Sequence, residues 1–316
     1  MEESGSGTSR PPVVAIVGPT AVGKTALAVG LAPPFAGEVV SADSRQVYRY
    51  MDIGTAKATP AERRAVPHHL LDVVDPDEPY TLADYQRDAY AAIAAIHARG
   101  GLPFVVGGTG LYVRAALGGF AIPRVPPQPE VRRALEAYAR DRGAEALAAR
   151  LRAVDPVAAA RIDPRNVRRV IRALEVYEVT GQRISELQAS APPPWRVLAI
   201  GLTTDRAQLY RRIDARVDWQ MEHGLLEETT GLIARGYGCD LPSMSGLGYR
   251  QICMYLRGEV TLPEAISLIK TRTHRFARQQ YTWFRLDDPA INWITAGERA
   301  LDSARQLVER FTAMEG

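Results

Sequence analysis

Gly18-Pro19-Thr20-Ala21-Val22-Gly23-Lys24-Thr25 carries the plainest chemistry in the sequence. Two glycines five residues apart, then Lys and a hydroxyl residue, make the G-x-x-x-x-G-K-[ST] string of a phosphate-binding loop. The glycines let backbone N–H groups turn inward on phosphate oxygens, and the start of the following helix adds fractional positive charge. Lys24 neutralises the outermost oxygens, and the Thr25 hydroxyl can hold Mg2+. Such a loop reads the shape of a phosphate group and leaves open whose phosphates it holds.

Two other stretches offer partners. Asp43, in VVSADSRQVY, ends a short apolar run and suits a metal-holding carboxylate, a general base or a cap for the next turn. Ser44, Arg45 and Gln46 follow it and present polar groups. Gly107-Gly108-Thr109-Gly110, in VVGGTGLY, brings N–H groups and a hydroxyl to the end of another apolar run. Alone it is a common glycine turn; opposite the first loop it is a candidate second clamp on a phosphate. Pro67-His68-His69-Leu70 has no third ligand at metal spacing, and neighbouring strand residues point opposite ways, so it reads as structural.

Bringing these residues together takes an α/β framework. PVVAIVG (12–18), GEVVSADS (37–44), LPFVVGGTG (102–110), WRVLAIGL (195–202) and INWIT (291–295) are apolar runs of strand length. TALAVGLA after the loop and TLADYQRDAYAAIAAIHARG (81–100), with Thr81 as N-cap, have helical periodicity. The alternation predicts a P-loop NTPase-like parallel sheet flanked by helices. Ligands of such sheets bind beyond the carboxyl ends of the strands, where the loop, Asp43 and Thr109 all fall. Between VPPQP (125–129) and PPPW (192–195) the pattern is helical only, which predicts an all-helical insertion between two strands of one sheet. The expected division is a disordered tail at 1–11, a catalytic core of 12–124 with 193–316, and an insertion domain at 125–192. Trp195 and Trp293 flank strands and read as core.

Composition bounds the function. The 316 residues carry a net charge of +3, and the only lysines are Lys24, Lys57 and Lys270, so the phosphate loop keeps a residue the rest of the chain nearly avoids. Cys239 and Cys253 give neither metal spacing nor a disulfide framework and suit a reducing cytosol. The polar N-terminus resembles no signal or transit peptide, and no apolar run nears the roughly 20 residues of a membrane helix, so a cytoplasmic protein is expected. Charge is uneven: residues 124–183 hold 13 Arg against 8 Asp plus Glu, and Ala265–Leu286 holds five basic residues and no acidic one, with Tyr281, Trp283 and Phe284 nearby. Basic helices with interleaved aromatics suit RNA; solvated faces over core aromatics are the plainer reading.

Three classes stay open on these residues: a small-molecule kinase transferring a γ-phosphoryl group, an RNA-acting enzyme using the loop differently, and a non-catalytic RNA-binding module, which the loop disfavours. A GTPase is disfavoured because no N-K-x-D string occurs.

Taken together, GPTAVGKT, SADSRQVYRYMDIGTAKAT, PHHLLDVVDPDEPYTLADYQRDA, VVGGTGLY, DPVAAARIDPRNVRRVIRALEVYEVTG and SGLGYRQ resemble the bacterial tRNA dimethylallyltransferases, also called tRNA isopentenyltransferases. The strings keep family order from about residue 13 to residue 285. The resemblance implies transfer of a dimethylallyl group from dimethylallyl diphosphate to the N6 amine of the adenosine 3′ of the anticodon. Gly18 to Thr25 would then hold the donor's diphosphate with Mg2+, Thr109 would stand near its bridging oxygen, and Arg216 would also reach it. Asp43 matches the family's general base. The resemblance places tRNA contacts at Asp43 to Gln46, at Arg132, Arg165, Asn166, Val167, Arg168 and Arg169 of the insertion, at Gly248, Tyr249 and Arg250, and at His274, Arg275, Arg278, Gln279, Gln280 and Tyr281. The anticodon stem-loop is the implied partner, and no obligate protein partner is evident, so a monomer is expected. No C-terminal Cys/His zinc finger like that of eukaryotic members is present.

Overall fold

The computed structural model describes residues 10–119, 121–123, 125–188 and 194–313. The expected N-terminal tail, apart from Arg10 and Pro11, lies outside these residues, as do Pro192 and Pro193 of the PPPW boundary. The chain divides into two compact units, one of Met1–Leu117 with Pro194–Gly316 and one of Gly118–Pro193.

The larger unit is built on six strands: β1 (Pro12–Val17), β2 (Glu38–Ser41), β3 (His68–His69), β4 (Pro103–Gly107), β5 (Arg196–Thr203) and β6 (Ile291–Thr295). They form one parallel sheet in the order β3-β2-β4-β1-β5-β6. The central strands are apolar throughout because both faces are covered, the usual reason a parallel strand shows no alternation. Val14, Ile16, Phe104, Val106, Ile200 and Leu202 fill one continuous core with Leu27 and Leu31 of the helix that follows the phosphate loop. Burying a side chain of this size contributes about 1.5–3 kcal/mol, so the sheet centre is a stiff base for the loops at its carboxyl edge. β4 lies between β1 and β2, which puts the turns after β2, β4 and β1 side by side.

Thr81 caps the helix Leu82–Ala98 as the sequence predicts, in a capping box with Asp84. The two-residue β3 gives no sequence signal of its own and is held by pairing Val39 with His68. Trp195 is buried, but Trp293 is only half-buried, because β6 is an edge strand. Among the described residues no helix is long and apolar enough to cross a membrane.

Cys239 and Cys253 form a disulfide. This corrects the expectation of two unlinked thiols and removes the cysteines as an argument for a reducing compartment. The chain doubles back between them, bringing their Cα atoms to 5.8 Å across a separation of 14 residues.

The smaller unit contains helices only among its described residues, the longest being Pro129–Arg142, Ala144–Val154 and Val167–Thr180, packed around Leu135, Leu147, Leu151, Val170 and Leu174. Glu175 is fully buried in it. Its carboxylate accepts hydrogen bonds from Arg132, Arg172 and the Gln128 N–H. Burial works against the charged form, yet these donors hold Glu175 below the usual carboxylate pKa.

Candidate active site

The three turns meet at a cavity of about 410 Å3, within the range of small-molecule sites. Thr20 of the phosphate loop, Asp43 and Ser44 after β2, Gly108 and Thr109 after β4, and Arg216 line it. Gly18 adopts φ 139°, and a Cβ there would stand 2.3 Å from the Leu202 carbonyl oxygen of β5, so only glycine fits the start of the loop. Lys24 begins the helix Lys24–Leu31, and its ammonium donates to the Gly18 and Pro19 carbonyls at 3.0 and 2.8 Å. Desolvation lowers its pKa to about 8; the charge of Asp43 raises it and that of Arg216 lowers it further. Arg212 braces the loop from outside by donating to the Val22 carbonyl.

Thr109 Oγ1 accepts a hydrogen bond from the Ser44 N–H at 3.2 Å, and the Thr109 N–H donates to the Ala42 carbonyl. These bonds stitch the glycine turn to the aspartate turn. Asp43 Oδ1 accepts from the Arg45 N–H at 2.9 Å, and Oδ2 has no hydrogen bond among the described residues. Arg216 projects from the helix Arg206–Glu222; burial holds its pKa below the ordinary arginine value, against the opposing charge of Asp43. Its Nε is buried and has no hydrogen-bond partner among the described residues. A desolvated guanidinium with an idle donor is a site for an anion. The same lining includes the apolar side chains of Leu111, Leu247, Ile269, Phe276 and Trp283.

Other expected contacts have their side chains committed within the chain. Arg45 donates to the Pro242 and Ser243 carbonyls and to Ser245 Oγ, pinning the segment that forms one cavity wall. Gln46 accepts from Ser41 Oγ and donates to the Thr55 and Ala56 carbonyls. Arg132 is spent on Glu175 at 2.7 and 3.0 Å. Arg165 pairs with Asp163, Asn166 caps the helix Val167–Thr180, and Val167 packs on that unit's core. His274 stacks on Tyr210 and pairs with Asp214. Gln280 is buried, and Tyr281 shares a hydrogen bond with Thr203. Gly248 begins the helix Tyr249–Leu256 at φ 92°. Arg168, Arg169, Arg250, Arg275 and Arg278 are exposed with no side-chain hydrogen bond or ion pair among the described residues, and Gln279 is exposed in the cavity wall.

The sequence missed Glu228. Its carboxylate accepts hydrogen bonds from the Asp52, Ile53 and Gly54 N–H groups at 2.8, 2.8 and 3.0 Å and from the Tyr249 hydroxyl at 2.5 Å. Burial raises the Tyr249 pKa, and Glu228 raises it further. Gly54 and Tyr249 both line the cavity, so one carboxylate fixes two of its walls. Lys57 works alongside, buried between the Tyr48 carbonyl, Asp52 and Asp72. Neither stands out in sequence, because their partners are distant or sit in ordinary surface-like strings.

Comparison with known proteins agrees with this geometry. The family model described as IPP transferase matches residues 46–287, and that described as isopentenyl transferase matches residues 11–72. A protein of Roseiflexus castenholzii named tRNA dimethylallyltransferase is 62% identical over 274 residues, covering 87% of this chain and 90% of the relative. One of the same name from Thermomicrobium roseum is 60% identical over 276 residues, covering 87% and 84%. The crystal structure of the full-length tRNA isopentenylpyrophosphate transferase of Bacillus halodurans is similar with a TM-score of 0.70 at 44% identity, covering 96% of each chain. A eukaryotic dimethylallyltransferase acting on tRNA is similar with a TM-score of 0.79 at 29% identity, covering 97% of this chain and 80% of that one. A match over most of the length, at these identities and on the same sheet, places the chain in the IPP transferase family.

Proposed function

We propose that the protein is a tRNA dimethylallyltransferase, moving the dimethylallyl group of dimethylallyl diphosphate to the N6 amine of the adenosine 3′-adjacent to the anticodon. The observation that carries the reading is the mixed lining of the cavity, polar and apolar. Thr109 and the guanidinium of Arg216 line it together with the apolar Leu111, Leu247, Ile269, Phe276 and Trp283, and Lys24 stands in the loop whose Thr20 also lines it, a mixture that suits a diphosphate with a hydrocarbon tail.

In the step proposed, the N6 lone pair attacks C1 of the prenyl group. The C1–O bond breaks with its electrons going to the departing diphosphate, whose charge Lys24, Thr109 and Arg216 stabilise. The N6 proton passes to Asp43, whose Oδ2 is uncommitted among the described residues. An adenine inside a stack cannot reach this cavity, so the base is turned out to enter it. Thr25, with no side-chain hydrogen bond among the described residues, and the diphosphate oxygens would supply the hard oxygen donors that Mg2+ prefers. The ion would neutralise leaving-group charge. The exposed arginines named above are the proposed grip on the anticodon stem-loop, in a monomer acting in the cytoplasm.

Incubation with tRNA, Mg2+ and either labelled dimethylallyl diphosphate or γ-labelled ATP tests this. Label should enter tRNA from the prenyl donor alone; transfer of the γ-phosphoryl group to any acceptor would overturn the reading.

A further inference from the structure

Gln280 ends the basic helix Leu262–Gln280, in a string whose neighbours point to RNA, yet its side chain is buried. Its Oε1 accepts the Thr20 N–H of the phosphate loop at 2.8 Å, and its Nε2 donates to the Gly108 carbonyl of the glycine turn at 2.8 Å. Among the described residues no other side chain hydrogen-bonds to both turns. The amide orientation follows from the partners: an N–H can only donate and a carbonyl can only accept. The fit is close, since a Cβ on Gly108 would lie 2.2 Å from Nε2.

From this geometry we infer that Gln280 is a positioning residue that sets the gap between the two phosphate-binding turns, and so selects a diphosphate over a single phosphate. The inference rests on the diphosphate reading above. The turns sit at the ends of neighbouring strands β1 and β4, whose ladder runs out at the Val17–Gly107 pair, and past that pair Gln280 ties Thr20 to Gly108. A diphosphate spanning the loop and Thr109 needs that distance fixed beforehand, because donors that must be drawn together at binding lose affinity to the reorganisation. A single phosphate seated on the loop alone does not feel the gap. Thr20 adds a second consequence: its N–H is turned toward Gln280, so the phosphates are met by the later N–H groups of the loop.

The test compares wild type with Gln280→Met, which keeps the volume and removes both hydrogen bonds, and with Gln280→Glu, which keeps the acceptor for Thr20 and loses the donor to Gly108. Pyrophosphate, inorganic phosphate and tRNA are titrated separately, and KM for dimethylallyl diphosphate is measured. Loss of two hydrogen bonds predicts pyrophosphate affinity about 10- to 100-fold weaker in the Met variant and a donor KM raised to match. Phosphate and tRNA affinities should stay within about twofold, a split that general loosening of the fold does not produce. A parallel fall in phosphate and pyrophosphate affinity, a loss confined to tRNA, or no change overturns the inference alone. Failure of the wild type to bind pyrophosphate overturns the functional reading and this inference with it. Amide hydrogen exchange in the wild type gives a check that needs no variant: the Thr20 N–H must be protected in the unliganded protein, and exchange at the rate of an open loop overturns the brace.

Discussion

Donor binding should carry a pH limit set by Lys24. Desolvation within the loop brings its pKa to about 8, with Asp43 acting upward and Arg216 downward. A group with this pKa is about 90% protonated at pH 7 and about 10% at pH 9. The donor's terminal phosphate completes its ionisation near pH 6, so over this range the ligand's charge is nearly constant. A bound trianion favours the ammonium and raises its pKa, so binding is at full strength below the free-enzyme pKa and is lost as pH rises through it. Affinity for dimethylallyl diphosphate should fall about tenfold from pH 7 to pH 9, or about 1.4 kcal/mol. Isothermal titration in two buffers of different ionisation enthalpy reads the same event as proton uptake, near zero at pH 7 and approaching one at pH 9. Lys24→Arg keeps its charge throughout and should lose the limb, whatever its overall affinity. Flat wild-type affinity without proton uptake, or the same limb in the Arg variant, would refute the assignment.

Asp43→Asn should lower single-turnover transfer by about 10²- to 10⁴-fold while tRNA affinity stays within about twofold; a large affinity loss with normal turnover would contradict the base role. Replacing Arg168 and Arg169 together by Ala should weaken tRNA binding and reduce its salt slope by about one to two units, measured by filter binding across salt concentrations. Gly54→Ala places a Cβ 2.5 Å from the Tyr249 ring, so the ring must move and its bond to Glu228 breaks. About 1–3 kcal/mol of stability should be lost, and an unchanged thermal midpoint would show that this wall yields freely. Reducing the Cys239–Cys253 bond opens a loop of 14 residues and should cost about 3 kcal/mol, read as a lower denaturation midpoint with dithiothreitol than without it.

What the sequence makes legible is local. The phosphate loop, its strand and its helix follow from adjacent residues, and the apolar runs 12–18 and 102–110 could only be strands covered on both faces. Asp43 and Thr109 become a site through the sheet order, because β4 lies between β1 and β2 and aligns the three turns. The rest of the cavity depends on contacts across long separations. Glu228 holds the Asp52–Gly54 backbone from 174 to 176 residues away, and Gln280 reaches Thr20 across 260. No periodicity records such bonds, and an isolated Glu or Gln on a polar helix reads as solvated surface. The disulfide is hidden for the same reason, since its loop closes only when the segment after Ala234 folds back.

Charge shows the limit most sharply. Counting arginines finds a basic insertion and a basic helix, and any of them is a fair candidate for RNA. An arginine that already donates to protein acceptors has little left for a phosphate, and freeing it weakens its partner's support: releasing Arg132 leaves the buried Glu175 carboxylate with Arg172 and the Gln128 N–H alone. Releasing Arg45 would likewise unpin the Pro242–Ser245 wall before any RNA contact is gained. Arg168, Arg169, Arg250, Arg275 and Arg278 carry no such obligation, so for these the full charge is available to a polyanion. Substituting Arg132 or Arg45 should therefore show first as altered stability or donor kinetics, and only the uncommitted arginines should move the salt dependence of tRNA binding.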